Sequence, residues 1–206
     1  MAGARVVVVG LVAGAVLGCA SCARVVEKPI VDPAIPTITV PTTTTRVPVM
    51  VDRPLPDDCE LVVPADVLNE RIGRDLGGST VQIIGIPEPG VGRTAKLDCY
   101  YGVGENKGIA TAPIVIGLST YADEAAATTR VTESLDAYRG DGASVSEVEV
   151  GKQKAALVLA KDENLVVGSF GKSTFVARAK KDAVPEDQVK AVLTALAARS
   201  MTPEEG

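Results

Sequence analysis

The chain has 206 residues, of which 46% are apolar, only 3% aromatic and none Trp or His, and its net charge is −5. This is enough for one domain of ordinary size around an aliphatic core, and the lack of His excludes Ser-His-Asp and Cys-His catalysis and most zinc hydrolase sites. The acidic excess falls on residues 59–206, where 16 Lys and Arg face 21 Asp and Glu; no basic stripe is present, which argues against nucleic acid as a partner and against loose electrostatic binding to anionic lipid.

The first element is apolar. Arg5 and the N-terminus give a positive start, and Val6 to Leu17 are twelve residues without a charge, the length of a signal-peptide h-region. A spanning helix needs roughly 20 apolar residues, so a transmembrane segment is the weaker reading. The Gly content and the β-branched Val run also disfavour a buried N-terminal helix. "VLGC", Val16 to Cys19, resembles a bacterial lipobox. That resemblance implies removal of residues 1–18, transfer of a diacylglyceryl group to the Cys19 sulfur, and attachment to a membrane through fatty chains such as palmitate, where two chains anchor stably and one does not. Cys22 is the competing lipidation site, with Ala20 and Ser21 before it.

Residues 19–58 then form a lipidated terminus and linker. From Ala23 to Asp58 the chain holds seven of its 13 prolines and the run Thr42–Thr45. Proline removes donors and favours extended polyproline geometry. The 36 residues form a spacer that reaches on the order of 100 Å; the Thr run beside Pro suits O-linked sugar on composition alone.

A single domain is expected over residues 59–200, followed by a tail, 201–206. Cys59 and Cys99 are its two cysteines. An exported compartment permits a disulfide, and a bridge closing about 40 residues contributes roughly 4 kcal/mol by the chain-entropy argument. A redox role fits poorly, because the spacing is not CxxC. Pro64–Ile72 reads as a short helix ended by Gly73, and Ser79–Ile86 as a strand. In "TAKLDCYY" Ala95, Leu97, Cys99 and Tyr101 alternate with Lys96, Asp98 and Tyr100, a half-buried strand by its period of two. Tyr100 falls on the wet side and is a candidate for a binding surface. A third strand spans Thr111–Leu118, with Pro113 placing its start at an edge or bulge.

Tyr121 to Arg139 is the clearest helix. Thr120 with Asp123 resembles a capping box, and Ala127, Val131, Leu135 and Tyr138 share a face. Four strands follow, Val145–Val150, Lys154–Lys161, Leu165–Ser169 and Ser173–Ala179, with tight turns at Asp162–Asn164 and Gly171–Lys172. A last helix runs from Pro185 to Arg199, with Val189, Val192, Leu193 and Leu196 as its apolar face. The order α-βββ-α-ββββ-α with short turns predicts an α+β fold, a curved antiparallel sheet with helices packed on one face.

The lipobox, the Pro/Thr tether, "DDCELVVPADV" and "LDCYY" together resemble small exported lipoproteins of actinobacterial type that carry a Cys…Cys domain of unknown function. The likeness spans the leader and roughly residues 57–200. Tyr100 stands where such proteins often have Trp. The resemblance implies an extracytoplasmic, lipid-anchored domain and lends no activity.

No residue pattern indicates a cofactor, a nucleotide or a metal. "GSFGKST", Gly168 to Thr174, is similar to the end of a phosphate-binding loop, but Val166 stands where Gly is required and a strand follows, so a hairpin turn is expected. The carboxylate pairs Asp57/Asp58, Asp123/Glu124, Glu147/Glu149 and Asp162/Glu163 read as solvated, capping or turn residues. A glycosidase needs two carboxyls facing across a cleft, and no spacing here supplies them. The expectation is a non-catalytic cell-envelope domain binding an envelope protein, a lipid or a glycan. A His-independent envelope enzyme using an Asp/Glu pair, or an extracytoplasmic sensor domain, are the alternatives.

Overall fold

The computed structural model describes residues 49–203. The expected signal peptide, residues 1–18, the lipidation candidates Cys19 and Cys22, and Thr42–Thr45 lie outside the described residues. Four helices and seven strands follow in the order α1 (Cys59–Val62), α2 (Ala65–Ile72), β1 (Ser79–Gly85), β2 (Arg93–Val103), β3 (Ile114–Tyr121), α3 (Glu124–Gly140), β4 (Ser144–Val150), β5 (Gln153–Leu159), β6 (Glu163–Phe170), β7 (Ser173–Lys180) and α4 (Val189–Ser200). The fold is the expected α+β type with an antiparallel sheet, and α1 is an added turn of helix before α2.

One sheet contains all seven strands in the order β1-β2-β3-β7-β6-β5-β4. Two antiparallel meanders, β1–β3 and β4–β7, are joined where β3 pairs with β7. Because β4 lies at the far edge from β1, the chain leaving β3 crosses the sheet to reach it, and α3 makes that crossing.

The helices do not share one face, which corrects the expected arrangement. Strand side chains alternate between faces. Phe175, Ala177 and Ala179 of β7 pack with α4 in the main core, together with Leu97, Cys99, Tyr101, Ile116, Leu118 and Val166. Val176 points the other way and joins Val131, Leu135 and Tyr138 of α3 over Ala156, Val158, Leu165 and Val167. Thus α1, α2 and α4 cover one face and α3 covers part of the other. Strands β5 and β6 are buried on both sides, so they read as continuous apolar runs rather than alternations.

Several boundaries move for local reasons. Gly73 ends α2 as expected, in the left-handed conformation at φ 78° with its N–H on the Asn69 and Glu70 carbonyls. Thr120 is no helix cap: it pairs with Ala95 inside the sheet, and the Asp123 carboxylate receives the Ala126 N–H at 2.8 Å to start α3. Ile109–Thr111 forms a 3-10 turn, so β3 starts after Pro113. The stretch from Pro185 to Gln188 is likewise a turn, closed by Gln188 N–H on the Pro185 carbonyl at 2.9 Å, and α4 begins later.

The folded body also reaches beyond both expected limits. Met50 is buried in the main core. Asp52 accepts from Lys172 N at 3.0 Å and from Ser173 Oγ at 2.8 Å. Val51 N–H donates to the Met201 carbonyl at 3.1 Å, and Met201 is only 1% exposed. Residues 50–58, assigned to the linker, and Met201, assigned to the tail, therefore belong to the domain: an apolar side chain at each end fills core space that composition alone does not reveal.

Candidate functional site

Cys59 in α1 and Cys99 in β2 are joined by a disulfide, with Cα atoms 5.6 Å apart and both residues buried. Two residues further on, Tyr101 is buried against the same helix. Its hydroxyl donates to the Val63 carbonyl at 2.8 Å and approaches the Cys59 carbonyl at 3.3 Å. Burial pushes the Tyr101 hydroxyl well above its ordinary pKa, so it remains a donor. The covalent and hydrogen bonds fasten the entry of the domain to the middle of β2.

Turning β2 over reveals the other side of that strand. Lys96, Asp98 and Tyr100 project onto the face that α3 covers incompletely. There the sheet forms the floor, and α3 one wall, of an open groove of about 220 Å³. Four cationic side chains line it from three elements: Arg93 and Lys96 on β2, Arg130 on α3 and Arg178 on β7. Asp98 is the only carboxylate in the lining, and Tyr100, Ser119, Tyr121, Ser134 and Thr174 are its hydroxyl-bearing residues.

Asp98 is held by Lys96, Nζ to Oδ2 at 2.7 Å. Gly117, its partner across the β2–β3 ladder, leaves room for the carboxylate. The carboxylates paired with the other three cations lie outside the lining. Arg93 meets Glu88 at 2.7 Å, Arg130 meets Glu133 at 3.5 Å and Arg178 meets Glu163 at 3.4 Å. Glu163 also accepts the Tyr138 hydroxyl at 2.8 Å, which anchors α3 to the sheet; burial, then this bond, pushes Tyr138 up to about 12. Tyr100 is half-buried, and burial followed by the Asp98 charge raises its hydroxyl above the ordinary value.

A second open recess, about 780 Å³, lies among Ile72, Leu157, Leu159, Val184 and Val189 with a charged rim. Its polar groups already hold the fold: Arg74 Nη2 donates to the Ala183 carbonyl at 3.1 Å, and Lys181 Nζ to Asn164 Oδ1 at 3.1 Å.

The remaining candidates are structural. Gly168 to Thr174 is a hairpin with Gly171–Lys172 as its loop, and the Asp52 carboxylate sits on its backbone. Asp58 caps α1 through the Glu60 N–H, Asp123 caps α3, and Glu147 pairs with Lys154 on the β4 edge at 3.3 Å. Among the described residues no cluster of His, Cys, Asp or Glu could hold a metal ion. Of the sequence candidates for binding, Tyr100 alone reaches the groove. Its companions Lys96 and Asp98 were visible as the polar half of the β2 alternation. Arg130 and Arg178 carry no local signal, since only the β3–β7 pairing and the α3 crossing bring them to β2.

No family model matches the sequence, and no curated protein matches it. Among solved structures the chain is similar to the extracellular domain of PknH from Mycobacterium tuberculosis, with 10% identity and a TM-score of 0.41, over 68% of this chain and 93% of that chain. No helix among the described residues is long and apolar enough to cross a membrane.

Proposed function

We propose that this chain is a cell-envelope lipoprotein whose extracytoplasmic domain is non-catalytic and binds a polar ligand of the glycan class in the groove around Tyr100. The observation that carries the binding reading is the groove itself: two tyrosines, three aliphatic hydroxyls and several charged donors gathered from β2, β3, β7 and α3. Sugars are held by such mixtures, with a ring face against an aromatic and hydroxyls on polar groups. Its one carboxylate is already tied to Lys96, which suits binding better than the paired-carboxyl chemistry of a glycosidase.

Export is supported by the Cys59–Cys99 bridge, since buried disulfides persist in oxidising compartments, and by the apolar leader ending in "VLGC". Cys19 carries the lipid, with Cys22 the alternative, and the Pro/Thr segment holds the domain off the membrane. A second reading, carriage of a lipid tail, draws on the apolar floor of the larger recess; its charged rim and open form suit it less.

Mass spectrometry of the native full chain after mild detergent extraction tests both parts. The expected result is a mature chain beginning at Cys19 with diacylglyceryl mass and a co-purifying sugar that is lost in Tyr100→Ala. A chain beginning at Met1 with no acyl mass overturns the anchor; a co-purifying lipid retained in Tyr100→Ala overturns the glycan reading.

A further inference from the structure

We infer that the groove selects an anionic ligand, one whose carboxylate, phosphate or sulfate oxygens are received by Arg93, Arg130 and Arg178. This rests on the reading of the groove as the binding site and adds the charge of what it binds. In a chain with net charge −5, the lining of the groove is cation-rich, with four cations and one carboxylate, while the carboxylates that pair with its three arginines lie outside the lining. Lys96 holds Asp98 at 2.7 Å, so that pair is neutral and the three arginines supply the charge a ligand would meet.

Each of the other three cations is held by a carboxylate on the side away from the groove. Their carboxylate partners stand outside the groove, and the side chains of Glu88 and Glu133 are each 55% exposed. The Arg130–Glu133 pair is exposed on both sides and contributes little, so exchanging it for a ligand oxygen costs little; Arg93 is 17% exposed and Glu163 28%, so a ligand oxygen would share those two pairs rather than replace them. Among the described residues Arg93 Nε and Arg178 Nε are buried and hydrogen-bond to no protein atom, although Arg178 Nε stands 3.4 Å from Glu163 Oε2. A guanidinium offers five donors in a planar fork that matches an oxyanion. A ligand cannot reach these buried Nε atoms; what it can meet is the exposed part of the guanidinium groups, the side chains of Arg130 and Arg178 being 45% and 43% exposed. With about 220 Å³ available, the groove admits a single charged sugar ring over Tyr100.

The test is an NMR titration of the detergent-solubilised, isotope-labelled full chain with glucuronate, glucose and inorganic phosphate. Glucuronate should shift the amides of Tyr100, Gly117, Ser119 and Arg178 saturably, and glucose should bind at least tenfold more weakly. Phosphate separates the sources: saturation by phosphate alone identifies a phosphoryl ligand, and saturation only by glucuronate identifies a sugar acid. Arg130→Gln and Arg178→Gln should each weaken binding about tenfold, whereas Asp98→Asn should strengthen it. Raising salt from 0.05 to 0.5 M should weaken it further, since partly exposed charges are screened. If glucose and glucuronate bind the groove equally, or Asp98→Asn weakens binding, the charge assignment is wrong while the groove stands as a site. If none of the three probes moves these amides, both the charge assignment and the groove as the binding site are wrong.

Discussion

Gly117 stands directly across from Asp98 in the β2–β3 ladder, and a Cβ at Gly117 would lie 2.8 Å from Asp98 Oδ1. The glycine is therefore the space that the groove's one carboxylate occupies. Gly117→Ala should push Asp98 off Lys96 and cost about 1–3 kcal/mol, as overpacking does. In an Asp98→Ala background the same substitution should cost almost nothing, because the clash is gone. Urea titrations of the four proteins measure both; equal costs in the two backgrounds would refute the pairing.

The Cys59–Cys99 bridge closes a separation of 40 residues. Replacing both cysteines by Ala should lower stability by about 4 kcal/mol, a large share of the 5–15 kcal/mol typical of a domain. A bridged pair has no thiol to react, so a thiol reagent added to the protein unfolded without reductant should label neither Cys59 nor Cys99. Labelling of either before reduction would show that the bridge does not form.

Asp52 ties the residues before Cys59 to the β6–β7 hairpin through Lys172 N and Ser173 Oγ. Asp52→Ala leaves those donors without this acceptor, and a stability loss of about 1–3 kcal/mol is expected. Release of the segment should also break the bond from the Val51 N–H to the Met201 carbonyl. Hydrogen exchange at the Val51 amide should be faster in the variant than in the wild type, and unchanged exchange would show that the segment is held by other contacts.

Two tyrosine hydroxyls make stability fall in alkali. Burial raises Tyr101, and burial with the Glu163 bond raises Tyr138 to about 12, from an ordinary value of 10.0. The unfolded chain loses these protons from about pH 10 upward while the folded chain keeps them. The contribution is thus complete below pH 10 and is lost as pH rises through the folded pKa values. Denaturant midpoints should be level from pH 8 to 9.5 and fall from pH 10 to 12. The decline should be shallower in Tyr138→Phe; an identical slope in that variant would exclude Tyr138 as a source.

The elements were legible where one face is dry and the other wet. Leu97, Cys99 and Tyr101 alternate with Lys96, Asp98 and Tyr100, so β2 was readable, along with the sides its residues take. Ala127, Val131, Leu135 and Tyr138 likewise revealed the buried stripe of α3. Boundaries failed where a side chain made an unforeseen bond: Asp123 rather than Thr120 caps α3, and Met50 fills core space from within a proline-rich segment.

The amino-acid order by itself determined every strand and helix but α1, their succession, the two cysteines available for a bridge and the aliphatic nature of the core. These depend on local period and composition, which neighbouring residues carry. Only the tertiary structure decided that β3 pairs with β7, that α3 crosses the face opposite α4, and that Arg130 and Arg178 meet Tyr100 in one groove. A period of two states which way a side chain points but not which strand lies beside it, and that choice belongs to contacts between residues far apart in the chain.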